Sequence, residues 1–230
     1  MYDAIIISDI HLGSDACQAV ALIDFLHSLD KTLLTRQLFI NGDVFESWNF
    51  KRLTKNHWKV LGRIRALSDH VETHWISGNH DGPAEIVSHL VGLDVEEERI
   101  LESGDKRILL LHGDQFDDFL TDHPFITWIA DLGYALLQKI DPSFYMAKKA
   151  KLASKTFLRC SELVRARSIE YAKKKKCNAV CCGHTHHAME APGQVSYYNS
   201  GSWVEPPGTY LTVKDGEIKL HQFGEDNVPA

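Results

Sequence analysis

No stretch of the chain approaches the ~20 consecutive apolar residues that a membrane-spanning helix needs. The longest clean runs are Ile5–Ile7 and Ile108–Leu111. The N-terminus has neither a basic segment nor a long apolar one, so no secretory signal is expected. Five cysteines (Cys17, Cys160, Cys177, Cys181 and Cys182) form an odd set without zinc-finger spacing. That pattern speaks against a disulfide framework and for reduced thiols in the cytoplasm. No internal repeat and no flexible linker is visible. What remains is 230 residues, 44% apolar and 24% charged, which excludes disorder and collagen-like fibres. The length suits one domain over residues 1–230, with enough chain to bury a core.

The formal charge of −6 conceals a division. Residues 139–176 carry 12 Lys or Arg against 3 acids, a net of +9, and the rest of the chain nets −15. Local fields steer charged partners whatever the total charge, so the basic block is read separately from the body.

Short apolar runs at 4–8, 37–41, 73–77 and 107–111 read as buried strands, each ended by Gly, Asp or Asn. Between them, 16–29 and 53–67 place apolar residues at the three- and four-residue spacing of amphipathic helices. Such alternation predicts an α/β fold with parallel strands. A long helical pattern follows, with a break expected at Asp141-Pro142. It forms a helical insertion over 120–176. Strands return at 179–182, 195–198, 210–213 and 217–222, the later ones separated by Pro-Gly and Asp-Gly turns.

Five polar clusters stand where strand runs stop: Asp9-x-His11, Gly42-Asp43-x-x-Glu46, Gly78-Asn79-His80-Asp81, His112-Gly113-Asp114 and Gly183-His184-x-His186. In α/β sheets ligands gather beyond the carboxyl ends of strands, so the clusters are expected to converge at one edge. A helix-capping Asp or a single core His accounts for any one cluster. It does not account for five in order. Carboxylates, imidazoles and an amide, with no thiolate, suit Mn²⁺, Fe²⁺ or Zn²⁺.

The ordered set resembles the calcineurin-like metallophosphoesterase superfamily over nearly the whole chain. The resemblance implies a four-layer α/β/β/α sandwich of two packed mixed sheets and two divalent ions, Mn²⁺ first among the candidates. Carried over residue by residue, Asp9, His11, Asp43 and His186 would hold one ion. Asp43, Asn79, His112 and His184 would hold the other, with Asp43 bridging. His80 would contact the phosphate and protonate the leaving group, and Glu46 would orient that histidine. Asp81 and Asp114 are expected to be turn and supporting groups, and His123 and His187 have no assigned role. The implied reaction is hydrolysis of a phosphodiester or pyrophosphate bond by metal-hydroxide attack.

Ser47-Trp48 after Glu46 departs from the Ser/Thr protein phosphatases, which continue with arginine. The run Gly42–Trp48, the His112-Gly113-Asp114 step and Gly183-His184-Thr185-His186 look most like the UDP-2,3-diacylglucosamine hydrolase group. Members of that group often have arginine where this chain has His80. The segment Gln115-Phe116-Asp117-Asp118 follows their pattern only loosely. The expected partner is an anionic phosphate ester or nucleotide-linked substrate, with peripheral contact at the inner face of a membrane. As one helix over 144–171, the basic block would align Lys148, Lys151, Lys155 and Arg159, opposite an apolar face of Met146, Ala150, Ala153, Phe157, Cys160 and Val164. The rivals are a nuclease or cyclic-nucleotide phosphodiesterase of the same fold, and a non-catalytic scaffold like the retromer subunit. Against nucleic acid, the block's aromatics do not interleave with its basic stripe. Against a scaffold stands the complete ligand set with His80. Oligomeric state is not legible.

Overall fold

Successive side chains of a strand leave it on opposite faces, and in β1 (Tyr2–Ile7) both faces are apolar. Ile5 and Ile7 enter a cluster with Phe25 and Leu26 of α1 (Ala19–Thr32), Leu38 and Ile40 of β2 (Thr35–Asn41), and Val60 and Ile64 of α2 (Lys55–Leu67). Ala4 and Ile6 point the other way, joining Phe39 of β2 and Ile76 of β3 (Glu72–Ile76) against Ile108 and Leu110 of β6 (Lys106–Leu111) and Cys181 of β7 (Ala179–Cys182). The alternate residues of those last strands, Leu109, Leu111, Val180 and Cys182, meet Ala172 of α4 (Lys155–Lys174). Three apolar layers therefore separate four structural ones: helices, sheet, sheet, helix. Burial on both faces is why these strands read as continuous apolar runs. Each fully buried Ile or Leu contributes about 1.5–3 kcal/mol to this arrangement.

The computed structural model describes residues 1–32, 34–117 and 154–224. The remaining described elements are α3 (Ala84–Val91), β4 (Val95–Glu96), β5 (Glu98–Ser103), β8 (Met189–Ala191), β9 (Ser196–Asn199), β10 (Thr209–Lys214) and β11 (Glu217–Gln222). One sheet has the order β11-β10-β1-β2-β3-β4 and the other β5-β6-β7-β9-β8. The strands β1 to β4 run parallel, as do β6, β7 and β9, whereas β10, β11, β5 and β8 pair antiparallel. Both sheets are mixed. The carboxyl ends of β1, β2, β3, β6 and β7 lead directly into the five polar clusters.

Most of the helical insertion expected over 120–176 lies outside the described residues, as do Lys148 and Lys151. A helix unbroken over 144–171 is corrected at Ser154. That residue is extended (φ −74°, ψ 114°), and its Oγ accepts the Phe157 N–H at 3.3 Å, so α4 begins at Lys155. Of the expected apolar face Val164 is buried, and Phe157 and Cys160 are half-buried; Arg159 is exposed. Among the described residues no helix is long and apolar enough to cross a membrane. All five cysteines are free thiols.

Candidate metal centre

Five of the expected site residues adopt left-handed backbone: Asp9 (φ 52°), His11 (51°), Asp43 (53°), His184 (66°) and His186 (51°). Non-glycine residues seldom do so, at a cost of order 1–3 kcal/mol each, and such strain gathers at functional sites. Here hydrogen bonds between loops hold it. The Asp9 N–H donates to the Gly42 carbonyl (3.0 Å), and the N–H groups of Ile10 and His11 share the Asp43 carbonyl (2.9 and 3.0 Å). The β1 and β2 loops are thus zipped together. Across the sheets, the His184 N–H donates to the Asp9 carboxylate (3.0 Å), and within the second sheet the Asn199 side-chain amide donates to the Gly183 carbonyl (2.6 Å). The 199–203 turn contributes further: the Ser8 hydroxyl donates to the Asp9 carboxylate and meets Ser200 Oγ at 2.7 Å, and the Trp203 N–H donates to the Asp9 carbonyl (3.0 Å).

Two separate donor groups result, with a third that overlaps both. Asp9, His11 and His186 bring ligand atoms within 4.8 Å of one another, so do Asp43, His112 and His184, and so do His11, Asp43 and His80. His186 Nε2 lies 3.1 Å from Asp9 Oδ1 and 3.0 Å from His11 Nε2. Asp43 Oδ2 lies 3.1 Å from His112 Nε2 and 3.8 Å from His11 Nε2, so this carboxylate faces both groups. Asn79 joins the second group through Oδ1, 3.2 Å from His184 Nδ1. Close approach here requires missing side chains. A Cβ on Gly78 would sit 2.3 Å from Asp43 Oδ1, and one on Gly42 2.2 Å from His112 Nδ1.

Each of three imidazoles turns one nitrogen to the cluster while its other nitrogen is held from behind. His11 Nδ1 meets Glu46 Oε2 (2.9 Å), His112 Nδ1 donates to the Asn41 carbonyl (2.9 Å), and His184 Nε2 meets Asp117 Oδ2 (3.0 Å). Outer partners of this kind fix the tautomer and raise the basicity of a metal-binding histidine. The donor set therefore fits divalent ions: imidazole nitrogens with oriented lone pairs, carboxylate oxygens, and no thiolate. Sequence reasoning missed Asp117, because its pairing with His184 spans 67 residues and no strand pattern announces it.

Glu46 differs from its expected place. Its carboxylate faces His11, and the His80 ring is held instead by main chain: Nδ1 donates to the Glu46 carbonyl (2.9 Å), while the His80 N–H donates to the Asp43 carboxylate at Oδ1 (2.9 Å). The His80 ring packs edge-on to His11 at 5.0 Å. Asp81 is a buried clamp, accepting from the N–H groups of Val44, Phe45 and Gly78 and from the Trp75 indole at 2.7–3.2 Å. Asp114 opens the short 3-10 turn Asp114–Phe116.

Charge explains the titration of the centre. Burial alone would push the His112 imidazole down; the Asp43 carboxylate outweighs it and raises the ring to about 10. Burial would likewise lower His11, but Glu46, Asp43 and Asp9 hold it above its ordinary value. Asp9 and Asp43, although burial raises them, are kept below theirs by His186 and His112 respectively. Protons on these rings occupy positions that a cation would take, since metal binding displaces protons from its ligands.

The sequence matches the calcineurin-like phosphoesterase family over residues 3–188. The chain belongs to that family. Calcineurin-like phosphoesterases are hydrolases, and the two donor groups are this member's candidate metal sites. Among solved structures it is similar to Yfce, a phosphoesterase from E. coli, at 16% identity, covering 99% of this chain and 96% of that one with a TM-score of 0.57. It is also similar to a predicted phosphoesterase from Streptococcus pneumoniae (16% identity, 95% and 87% covered, TM-score 0.45). Vps29 from Chaetomium thermophilum matches at 10% identity, 95% of each chain and a TM-score of 0.48. The Yfce likeness is one of fold. No sequence among curated proteins matches the chain.

Proposed function

We propose that this calcineurin-like phosphoesterase is a binuclear metal-dependent phosphohydrolase cleaving a phosphodiester or pyrophosphate bond, with UDP-2,3-diacylglucosamine as the leading substrate. The observation that carries the reading is the buried Asp43 carboxylate, which faces both donor groups. Asp9, His11, Asp43 and His186 would hold one divalent ion, and Asp43, Asn79, His112 and His184 the other, Mn²⁺ being the first candidate. When bound, such a pair supplies Lewis-acid charge to the phosphate and lowers the pKa of water. The chain's own residues do the rest. Two carboxylates, Asp9 and Asp43, only partly balance two divalent ions, so the loaded site attracts an anionic phosphate. His80, whose Nδ1 is committed to the Glu46 carbonyl, is left with Nε2 as the atom from which it would assist the leaving oxygen. A cavity of about 230 Å³, lined by Phe157, His186, His187, Ser202, Glu205 and Gln222, gives room beside the first group for the remainder of a substrate. A lipid-linked substrate of this kind calls for peripheral contact with a membrane surface.

The test is turnover of bis-p-nitrophenyl phosphate by chelated and Mn²⁺-reloaded protein, then of UDP-2,3-diacylglucosamine beside UDP-sugars, cyclic nucleotides and single-stranded DNA. Hydrolysis lost on chelation and restored by Mn²⁺, with preference for the lipid-linked pyrophosphate, is the expected result. Preference for DNA or cyclic nucleotides would replace the substrate assignment. No turnover with both sites filled would replace the enzyme by a metal-bound scaffold.

A further inference from the structure

We propose that Asp117 is a positioning residue that fixes His184 in the tautomer needed to hold the second ion; this rests on the binuclear reading above. Asp117 Oδ2 lies 3.0 Å from His184 Nε2, and both side chains are below a tenth exposed. An ionised carboxylate can only accept, so Nε2 carries the hydrogen and the neutral ring has its lone pair at Nδ1. That nitrogen lies 3.2 Å from Asn79 Oδ1. Without metal a proton can bridge this pair, in the place that a cation would take, and Asp43 and His112 bring their ligand atoms within 4.8 Å of those of His184.

The position of Asp117 is itself built. It ends the Asp114–Phe116 turn, its N–H donating to the Asp114 carbonyl at 3.0 Å. The turn is clamped from α4: Arg167 Nη1 donates to the Phe116 carbonyl at 3.1 Å, and the Phe116 ring packs on Tyr171 at 5.7 Å. Helix α4 thus delivers a carboxylate to the back of His184, as the β2 loop delivers Glu46 to the back of His11. Both donor groups thus contain a carboxylate-backed imidazole, His11 with Glu46 and His184 with Asp117.

The test is a Mn²⁺ titration of metal-free wild type, Asp117→Ala and Asp117→Asn, followed by electron paramagnetic resonance, which separates an isolated ion from a spin-coupled pair. Loss of a carboxylate partner typically weakens metal binding about 10–100-fold. The first ion should bind Asp117→Ala as it binds wild type, the second with a dissociation constant raised by that factor. At two equivalents the coupled-pair signal should be lost and should return with excess Mn²⁺. Asp117→Asn, which keeps an acceptor oxygen without the charge, should fall between, and it decides the matter if the alanine variant does not fold. Unchanged second-ion affinity, or equal weakening of both ions, overturns the positioning role alone. Wild type that never forms a coupled pair overturns the binuclear reading and this role with it.

Discussion

At His80 two hydrogen bonds restrict what the ring can do. Its own N–H is tied to the Asp43 carboxylate and its Nδ1 to the Glu46 main-chain carbonyl, so the ring itself is oriented by an acceptor that no side-chain substitution removes. His80→Ala should retain full metal content while kcat falls about 10²–10⁴-fold, the usual contribution of a general acid. The fall should be much smaller for p-nitrophenyl esters, whose leaving group needs no proton; metal analysis with paired kinetics on good and poor leaving groups checks this. Glu46 acts elsewhere. Glu46→Gln should weaken the first ion about tenfold, as loss of an outer carboxylate does, and leave the leaving-group dependence of kcat unchanged; competition with a chelator measures the affinity. This difference between two neighbours was not legible in the sequence. Three-residue spacing places Glu46 near the site, but which histidine its carboxylate meets depends on how the β1 and β2 loops are zipped.

At the scale of elements, the strands leading to the site were legible because burial on both faces makes their carboxyl-terminal portions apolar. The ones that were missed, β4, β5 and β8, are two residues long, rich in charge and three residues long respectively. Helix α3 was missed as well. The start of α4 was hidden for a different reason: the helical pattern runs through Ser154, and only the fold turns that residue into a cap. The cap has a measurable value. Ser154→Ala should cost about 1 kcal/mol, seen as a fall of about 2–4 °C in the thermal midpoint of a chain this size. Because α4 clamps the turn bearing Asp117, the same variant should also weaken the second ion slightly.

For the whole molecule, the two sheets are joined by polar contacts as well as by their shared apolar layer. Asp3 at the start of β1 accepts from Ser103 Oγ in β5 (2.7 Å) and from the Asp215 N–H in the β10–β11 turn (2.8 Å). The Ser103 hydroxyl, opposed by burial and aided by the Asp215 N–H and Arg36, holds the Asp3 carboxyl below its ordinary value of 3.8. A carboxylate with a lowered folded-state pKa stabilises the protein above its unfolded value, and that stability disappears as pH falls through the folded one. Asp3→Asn should therefore be less stable than wild type at pH 7, with the gap closing below the ordinary value of 3.8. Thermal unfolding of both proteins across the acid range checks it, and a gap that widens on acidification would contradict it.

The sequence by itself determined the α/β alternation, the layered burial of its strands and the five polar clusters, because strand periodicity and turn chemistry are local properties. The division of charge was equally plain in it. Tertiary structure decided which of those polar groups meet. Left-handed loops from two sheets bring Asp9 to His186 and Asp43 to His112 across intervals of 177 and 69 residues, and no local pattern encodes such distances. It also decided the backing of the ligands, Glu46 behind His11 and Asp117 behind His184. The physical reason is that a side chain's partner follows from where packed layers place its backbone, whereas its chemical type is written in the chain.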